Sequence, residues 1–485
     1  MKIGPRPSSK NEQEETAKVS EQGQSTEPQD IDWFVASLVY AIQACDVISF
    51  TFITPFLPTM AASYKDISST YIGVAVGVVS AAYYLANFFA SFVIGHLSDH
   101  WGRRPLLLFG LFASFTATAT FGFCDTFAKA LANRVFLGFC DSNGPIAKAF
   151  LTDISPRSLR PMVFAWYGAV FALTRSLSSG ASGLATALPV PIGFQHFPYA
   201  LPCLLVATPL GFVFTLAVLY LEDVRVPRKR DIGPQPSLWQ GLKSVFGDAT
   251  LRQLVLMFCI HSFGNGGVLV ALVLFSSASR TEHGLGFGAL ENGVLYMFFG
   301  LVGFCFQVTS FKAAVRRLGL RATYRVGTML SCLGAFLLYT SSVVAPHTEQ
   351  ISSYKQLIVP WVLLLLFTAH IAIGFMIGIP IIGTMLSFAA EDEKQGLTQG
   401  TAQSCASLAR SMGPFISGVL FTGARGLHNP SLALLIMIGT TYFLAFLASI
   451  GLSSRVESLH MLSQPPIDEK KPLLLLSDSS TSSKP

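Results

Sequence analysis

Polar and apolar residues in this chain do not follow the two-residue period of a half-buried strand or the three-to-four-residue period of a surface helix. They arrive in long apolar blocks, such as 163–190 and 199–221, separated by short polar segments. About 20 apolar residues cross the hydrocarbon core of a bilayer as a helix, so each block reads as a membrane span. The pattern predicts twelve spans, near 33–58, 71–95, 104–123, 128–150, 161–186, 198–221, 252–276, 289–312, 323–343, 357–386, 395–422 and 431–455. The longest polar connection, 223–251, separates six spans in 32–222 from six in 252–456. The polar tails, 1–31 and 457–485, are expected to be disordered; an even number of spans puts them on one side.

Composition agrees. Only 12% of the 485 residues are charged, against roughly 25% in an average soluble domain, so charges are too few to cover a water-facing surface. The formal charge of +6 does not imply a nucleic-acid partner, because the basic residues sit in short loops between spans, where they act as orientation signals. Arg103, Arg104, Arg157, Arg160, the basic residues of 223–251, Arg316, Arg317, Arg321 and Arg325 fall on one side, which the rule assigns to the cytosol together with both termini. The eight cysteines lie in or beside apolar blocks without a CxxC spacing, which argues for packing rather than a disulfide framework or a metal site. The N-terminal tail lacks the apolar core of a secretory signal. The chain has no phosphate loop, HExxH or GxSxG, so a primary pump or an enzyme is not expected, nor is a cofactor.

The two halves repeat. In the fifth span Leu173, Arg175, Ser176, Ser182 and Gly183 align without gaps with Leu408, Arg410, Ser411, Ser417 and Gly418 in the eleventh, as in a duplicated six-helix bundle. After the second span comes Gly95-His-Leu-Ser-Asp99-His-Trp-Gly102-Arg103-Arg104, in which small residues permit close helix approach and arginines can bind carboxylates. This string resembles the G-x-L-[SA]-D-x-x-G-R-[RK] signature of the major facilitator superfamily. Arg134-Val-Phe-Leu-Gly138 resembles the R-x-x-x-G motif of its proton-coupled members. Segments 143–149, 197–203 and 400–414 are similar to the zinc-induced-facilitator-like and tetracycline-resistance-like branch of the drug:proton antiporters.

The resemblance implies an all-α polytopic membrane protein, with twelve transmembrane helices in two pseudo-symmetric six-helix bundles. It also implies a cytosolic gate, in which Asp99 braces the eleventh helix and Arg103 pairs with Asp153. One departure stands against antiport: Thr174, Ser178, Ser179 and Ser182 occupy positions where the family's fifth-span motif has Gly or Pro.

A charge at the bilayer centre costs at least about 2.5–3.5 kcal/mol, so intramembrane charges usually face a cavity or a partner. Arg134, Asp141 and Lys148 are spaced seven apart and would form one stripe on a continuous fourth helix. Asp46, mid-span in the first helix, is a candidate proton acceptor; the alternative is a structural Asp46–Arg134 ion pair. Arg175 and Arg410 would make the cavity net positive if they face it, or bind backbone carbonyls if they do not. His261 and His370 are cavity candidates whose bland alternative is packing.

The tail sequence from Glu469 to Leu473 and Leu474 resembles an acidic dileucine signal read by clathrin adaptors, which favours an endolysosomal or vacuolar membrane over the plasma membrane. The expected function is secondary, proton-coupled transport of a small organic solute, an organic anion or a metal chelate, by a monomer. The alternatives are a facilitative uniporter and a non-transporting receptor or scaffold.

Overall fold

The computed structural model describes residues 31–141, 143–156, 159–222, 243, 245–345, 355–390, 395–425 and 429–452; there is no strand among them. The tails and most of the central connection lie outside the described residues. Twelve helical rods fill the rest. The first is α1 (Trp33–Thr51) prolonged by α2 (Leu57–Ser63), followed by α3 (Ile72–Trp101) and α4 (Arg103–Phe121). The fourth rod is made of α5 (Phe127–Cys140) and α6 (Asn143–Ile154), and α7 (Arg160–Thr186) and α8 (Ala200–Tyr220) complete the first half. The second half comprises α9 (Ala249–Ser277), α10 (Ala289–Cys305) continued by a π turn and α11 (Phe311–Leu318), α12 (Leu320–Val344), α13 (Lys355–Ala389), α14 (Gln395–Ala424) and α15 (Pro430–Ile450).

Among the described residues nine rods are long and apolar enough to cross a membrane by composition alone. The three that fall short are the fourth, which is interrupted, and α7 and α14, which carry Arg175 and Arg410 among serines. These are the rods onto which the sequence places most of the interior charge.

Polar residues ahead of the apolar blocks set helix starts. Asp32 accepts from Phe34 N at 2.9 Å, Asp248 from Thr250 N at 2.7 Å and Asn429 from Leu432 N at 3.1 Å, each satisfying an orphan donor. Two glycines end one rod and begin the next: Gly102 (φ 91) between α3 and α4, and Gly319 (φ 81) between α11 and α12. Only glycine adopts such angles without strain, and the two sit at equivalent places in the two halves.

Phe34 packs edge-on against Tyr220 and Arg321 donates to Leu452 O, so the chain enters α1 and leaves α15 on one face, here the termini face. The opposite, far face gathers the stacked Phe56–Tyr199 pair and the Asn429–Tyr339 hydrogen bond. The halves meet along two seams, α3 against α14 and α7 against α10. Both are backbone-to-backbone contacts made possible by glycine. A Cβ on Gly418 would lie 2.3 Å from Gly73 O, and one on Gly183 would lie 2.6 Å from Gly293 Cα.

Candidate functional site

The fourth rod is not one helix, which corrects the expected single stripe of Arg134, Asp141 and Lys148. Asp141 is extended (ψ 101), and α6 restarts at Asn143. Pro145 accounts for the interruption: it has no N–H to donate to the carbonyl four residues earlier, and its ring would collide with that carbonyl, Asp141 O. Asn87 of α3 donates to this freed carbonyl instead. By contrast α13 runs unbroken through Pro360 and Pro380.

The break brings the Asp141 side chain against α1, close beside the Asp46 carboxyl. Tyr83 Oη donates to Asp141 Oδ2 at 2.6 Å. Asp46 Oδ1 is buried without a partner, and Tyr167 Oη donates to Gln43 Oε1 beside the pair. Two buried carboxyls this close repel each other when both are charged.

Arg134 is not the partner of Asp46, so the Asp46–Arg134 ion pair is not formed. Its Nη1 donates to Ser49 O at 3.0 Å, and its guanidinium lies 4.2 Å from the Phe121 ring centroid and 5.5 Å from that of Phe52. Such aromatic faces offset part of the cost of a buried cation, about 2 kcal/mol when desolvated.

Three basic groups form a chain, with Arg410 at its middle. Lys148 is exposed, with Nζ 5.2 Å from the Tyr167 ring centroid. Arg175 is buried over the Phe375 ring at 4.5 Å, and Arg410 is half-buried. Arg410 stands within electrostatic reach of both Arg175 and Lys148, and Tyr84 stands within reach of both arginines. The repeat-related arginines therefore converge from opposite halves.

The histidines take packing positions. His261 is fully buried between Tyr324 and Tyr442 and presses on Gly378. His370 Nδ1 lies 2.7 Å from Leu366 O of its own helix, and its Cβ packs on Gly334 of α12. Among the described residues no cluster of three metal-ligating side chains occurs.

On the termini face Arg103 Nε lies 2.5 Å from Asp153 Oδ2, and Arg104 Nη2 donates to Val218 O at 2.9 Å. Burial pushes the Asp153 carboxyl above its ordinary range, with Arg103 and Arg160 opposing. Gly95 and Asp99 lie on α3, but their surroundings fall outside the described residues, as does the Glu469, Leu473, Leu474 signal.

Sequence reasoning missed the far-face cluster. Arg425 Nε pairs with Glu282 Oε1 at 3.0 Å, and Arg425 Nη1 donates to Ser69 O of the other half. Asn292 Nδ2 likewise donates across the halves to Pro55 O at 3.3 Å. Arg425 lies in a loop, where it reads only as a stray basic residue; nothing in the string marks its partner.

Two six-helix halves joined along glycine seams, with charged residues between them, define a membrane transport protein rather than an enzyme. The chain matches the family model of the Major Facilitator Superfamily over residues 39–414 and belongs to that superfamily. It is 22% identical over 385 residues to the class H tetracycline resistance protein of Pasteurella multocida, covering 79% of this chain and 88% of that one. It is 23% identical over 416 residues to ZINC INDUCED FACILITATOR-LIKE 1 of Arabidopsis thaliana, covering 79% and 83%. The solved human organic anion transporter MFSD10 superposes with a TM-score of 0.57 at 20% identity, covering 87% of this chain and 100% of that one.

Proposed function

We propose that this protein carries a small organic anion across a membrane by alternating access, coupled to protons at the Asp46–Asp141 pair. The observation that carries the reading is the pair itself: two buried carboxyls side by side while Arg134 pairs with neither. Such a pair is a proton store whose occupancy can respond to charge in the neighbouring cavity. Lys148, Arg175 and Arg410 supply an attractive field for an anion entering from the termini face. The organic anion named for MFSD10 agrees with this charge balance. The basic loops support a cytosolic termini face. The tail signal supports an endolysosomal or vacuolar address, and the transport unit is a monomer.

The test is uptake of an organic anion into proteoliposomes with and without an imposed pH gradient. Asp46→Asn and Asp141→Asn are expected to abolish gradient-driven accumulation while exchange of substrate at equal pH survives. Undiminished gradient-driven accumulation in both variants would remove the acid pair from the mechanism and leave the transporter class standing.

A further inference from the structure

The rod made of α10 and α11 turns much of its surface outward: only 28% of its apolar stretch is buried, and Leu290, Val294, Leu301 and Val308 are exposed. Side chains spaced four and seven apart share one helix face, and an exposed apolar face on a membrane-spanning rod meets lipid. Past Val308 that face changes character. A regular helix carries it from 301 to 308 and on to 315. The π turn at 306–310, closed by Phe311 N on Phe306 O, adds one residue, so the outward place passes from Val315 to Arg316. Lys312, Arg316 and Arg317 are exposed, while Phe311 and Val315 pack inward on the core that holds Leu320 and Tyr324. The three cations stand about 6–13 Å beyond Val308 along the axis, where the hydrocarbon core gives way to headgroups.

Five basic residues lie between Val308 and Val326, and their bonding differs. Arg321 donates to Leu452 O at 3.0 Å and Arg325 to Ser449 O at 2.8 Å, satisfying carbonyls at the end of α15. Arg104, placed two residues after Gly102 as Arg321 is after Gly319, does the same for Val218 O of α8. Lys312, Arg316 and Arg317 have no hydrogen bond or ion pair among the described residues. No Asp or Glu occurs between Glu291 and Glu349. Three places before the turn glycine, where the first half has Asp99, the second has Arg316, so the charge of the first-half signature is reversed. Orientation in the membrane accounts for basic residues on this face, but it does not require three of them to stand unpaired on one outward stripe.

We propose that α11 is a docking site for the headgroup of an anionic phospholipid in the leaflet at the termini face. The phosphate sits on the Lys312, Arg316 and Arg317 stripe, and the acyl chains run down the apolar face past Val308 and Leu301. A soluble anion meets only the cations, and a zwitterionic lipid brings no net charge; an anionic lipid matches both parts of the surface. Because Phe311 and Val315 hold α11 on the core of the second half, a bound lipid fixes the depth of that half at the bilayer surface.

The experiment uses the purified full chain in detergent and phosphatidylglycerol as probe, with phosphatidylcholine of the same acyl chains as control, read as ligand-induced thermal stabilisation. Wild-type protein is expected to give a saturable shift with phosphatidylglycerol and none with phosphatidylcholine. Each cation near an anionic lipid is worth about a fivefold change, so Arg316→Gln should weaken the response by about fivefold and the triple variant Lys312→Gln, Arg316→Gln, Arg317→Gln by at least about tenfold. Without lipid the variants should melt as wild type does, since the three side chains have no partner within the chain to lose; if the triple variant does not fold, the single one decides. Lys243→Gln, which removes another exposed charge, should leave the response unchanged. A wild type with no saturable shift, or a full response in the folded variants, overturns the site. An equal loss in Lys243→Gln overturns it in favour of diffuse attraction, and an equal shift from glycerol phosphate without acyl chains overturns it in favour of a free-anion site.

Discussion

The two ends of the boundary between the halves are built differently. On the far side, glycines place backbone on backbone: Gly73 and Gly77 against Gly418 and Pro414, Gly183 against Gly293. Arg425, Glu282 and Ser69 then fasten one half to the other. On the termini side the ion pair Arg103–Asp153 stays within the first half, and Pro145 and Lys148 are exposed. Gly168, Gly383 and Gly400, on the termini-side portions of α7, α13 and α14, would have nothing within 4 Å of a Cβ. Small residues are needed where the halves close on each other, while charge at the other end is arranged inside each half. A seam of touching backbones has two states, packed or parted, and suits a gate.

The sharpest way to break this comparison is Gly418→Val. Its Cβ would meet Gly73 O, which no rotamer can relieve. Overpacking of this kind costs about 1–3 kcal/mol, which is about five- to 150-fold against the far-closed state. A cysteine placed at Thr54, in the cavity behind the seam, should become reactive toward an impermeant maleimide added from the far face. Unchanged protection would show that the seam does not do the sealing.

Arg425→Ala should act in the same direction but less strongly. The pair is partly exposed, at 24% and 27%, and worth at most about 1 kcal/mol, so the far-open population should rise by about fivefold. The same maleimide assay reads it, and a null result would make the cluster a surface ornament rather than a latch.

The smallest effect is expected on the termini face. A carboxyl whose folded value lies above its ordinary 3.8 binds its proton more tightly when folded, so stability rises as pH falls through the raised value. Arg103→Ala removes the partner that opposes this shift. The variant should therefore be less stable than wild type near neutral pH by about 0.5 kcal/mol, and should recover on acidification, as measured by thermal melting across a pH series. Parallel melting profiles for the two proteins would show that Arg103 does not act through Asp153.

Much of this was legible in the string. The apolar blocks beginning near 33, 252 and 431 anticipated the helices that start at Trp33, Ala249 and Pro430, and the Gly102 turn lies within the signature around it. The repeat makes Arg175 and Arg410 equivalent, but it does not say whether they face a cavity or backbone carbonyls. The pairing of the fourth rod was not legible, because seven-residue spacing predicts one face only while the helix continues. Pro145 interrupts it, yet Pro360 and Pro380 do not interrupt α13, so proline alone could not have located the break. What differs is Asn87, two helices away in sequence, which accepts the consequences by donating to the freed carbonyl.

The membrane class, the number of rods and the duplication are legible in the string alone. Each is written in local hydropathy and short-range order, where the bilayer leaves few alternatives to the helix. That Asp46 lies beside Asp141 rather than Arg134, that both histidines pack away from the cavity, and that Arg425 bridges the halves are properties of the folded chain. Those outcomes depend on which helix faces meet, and that is fixed by the summed packing of many side chains across distant segments rather than by the spacing of charges along any one of them.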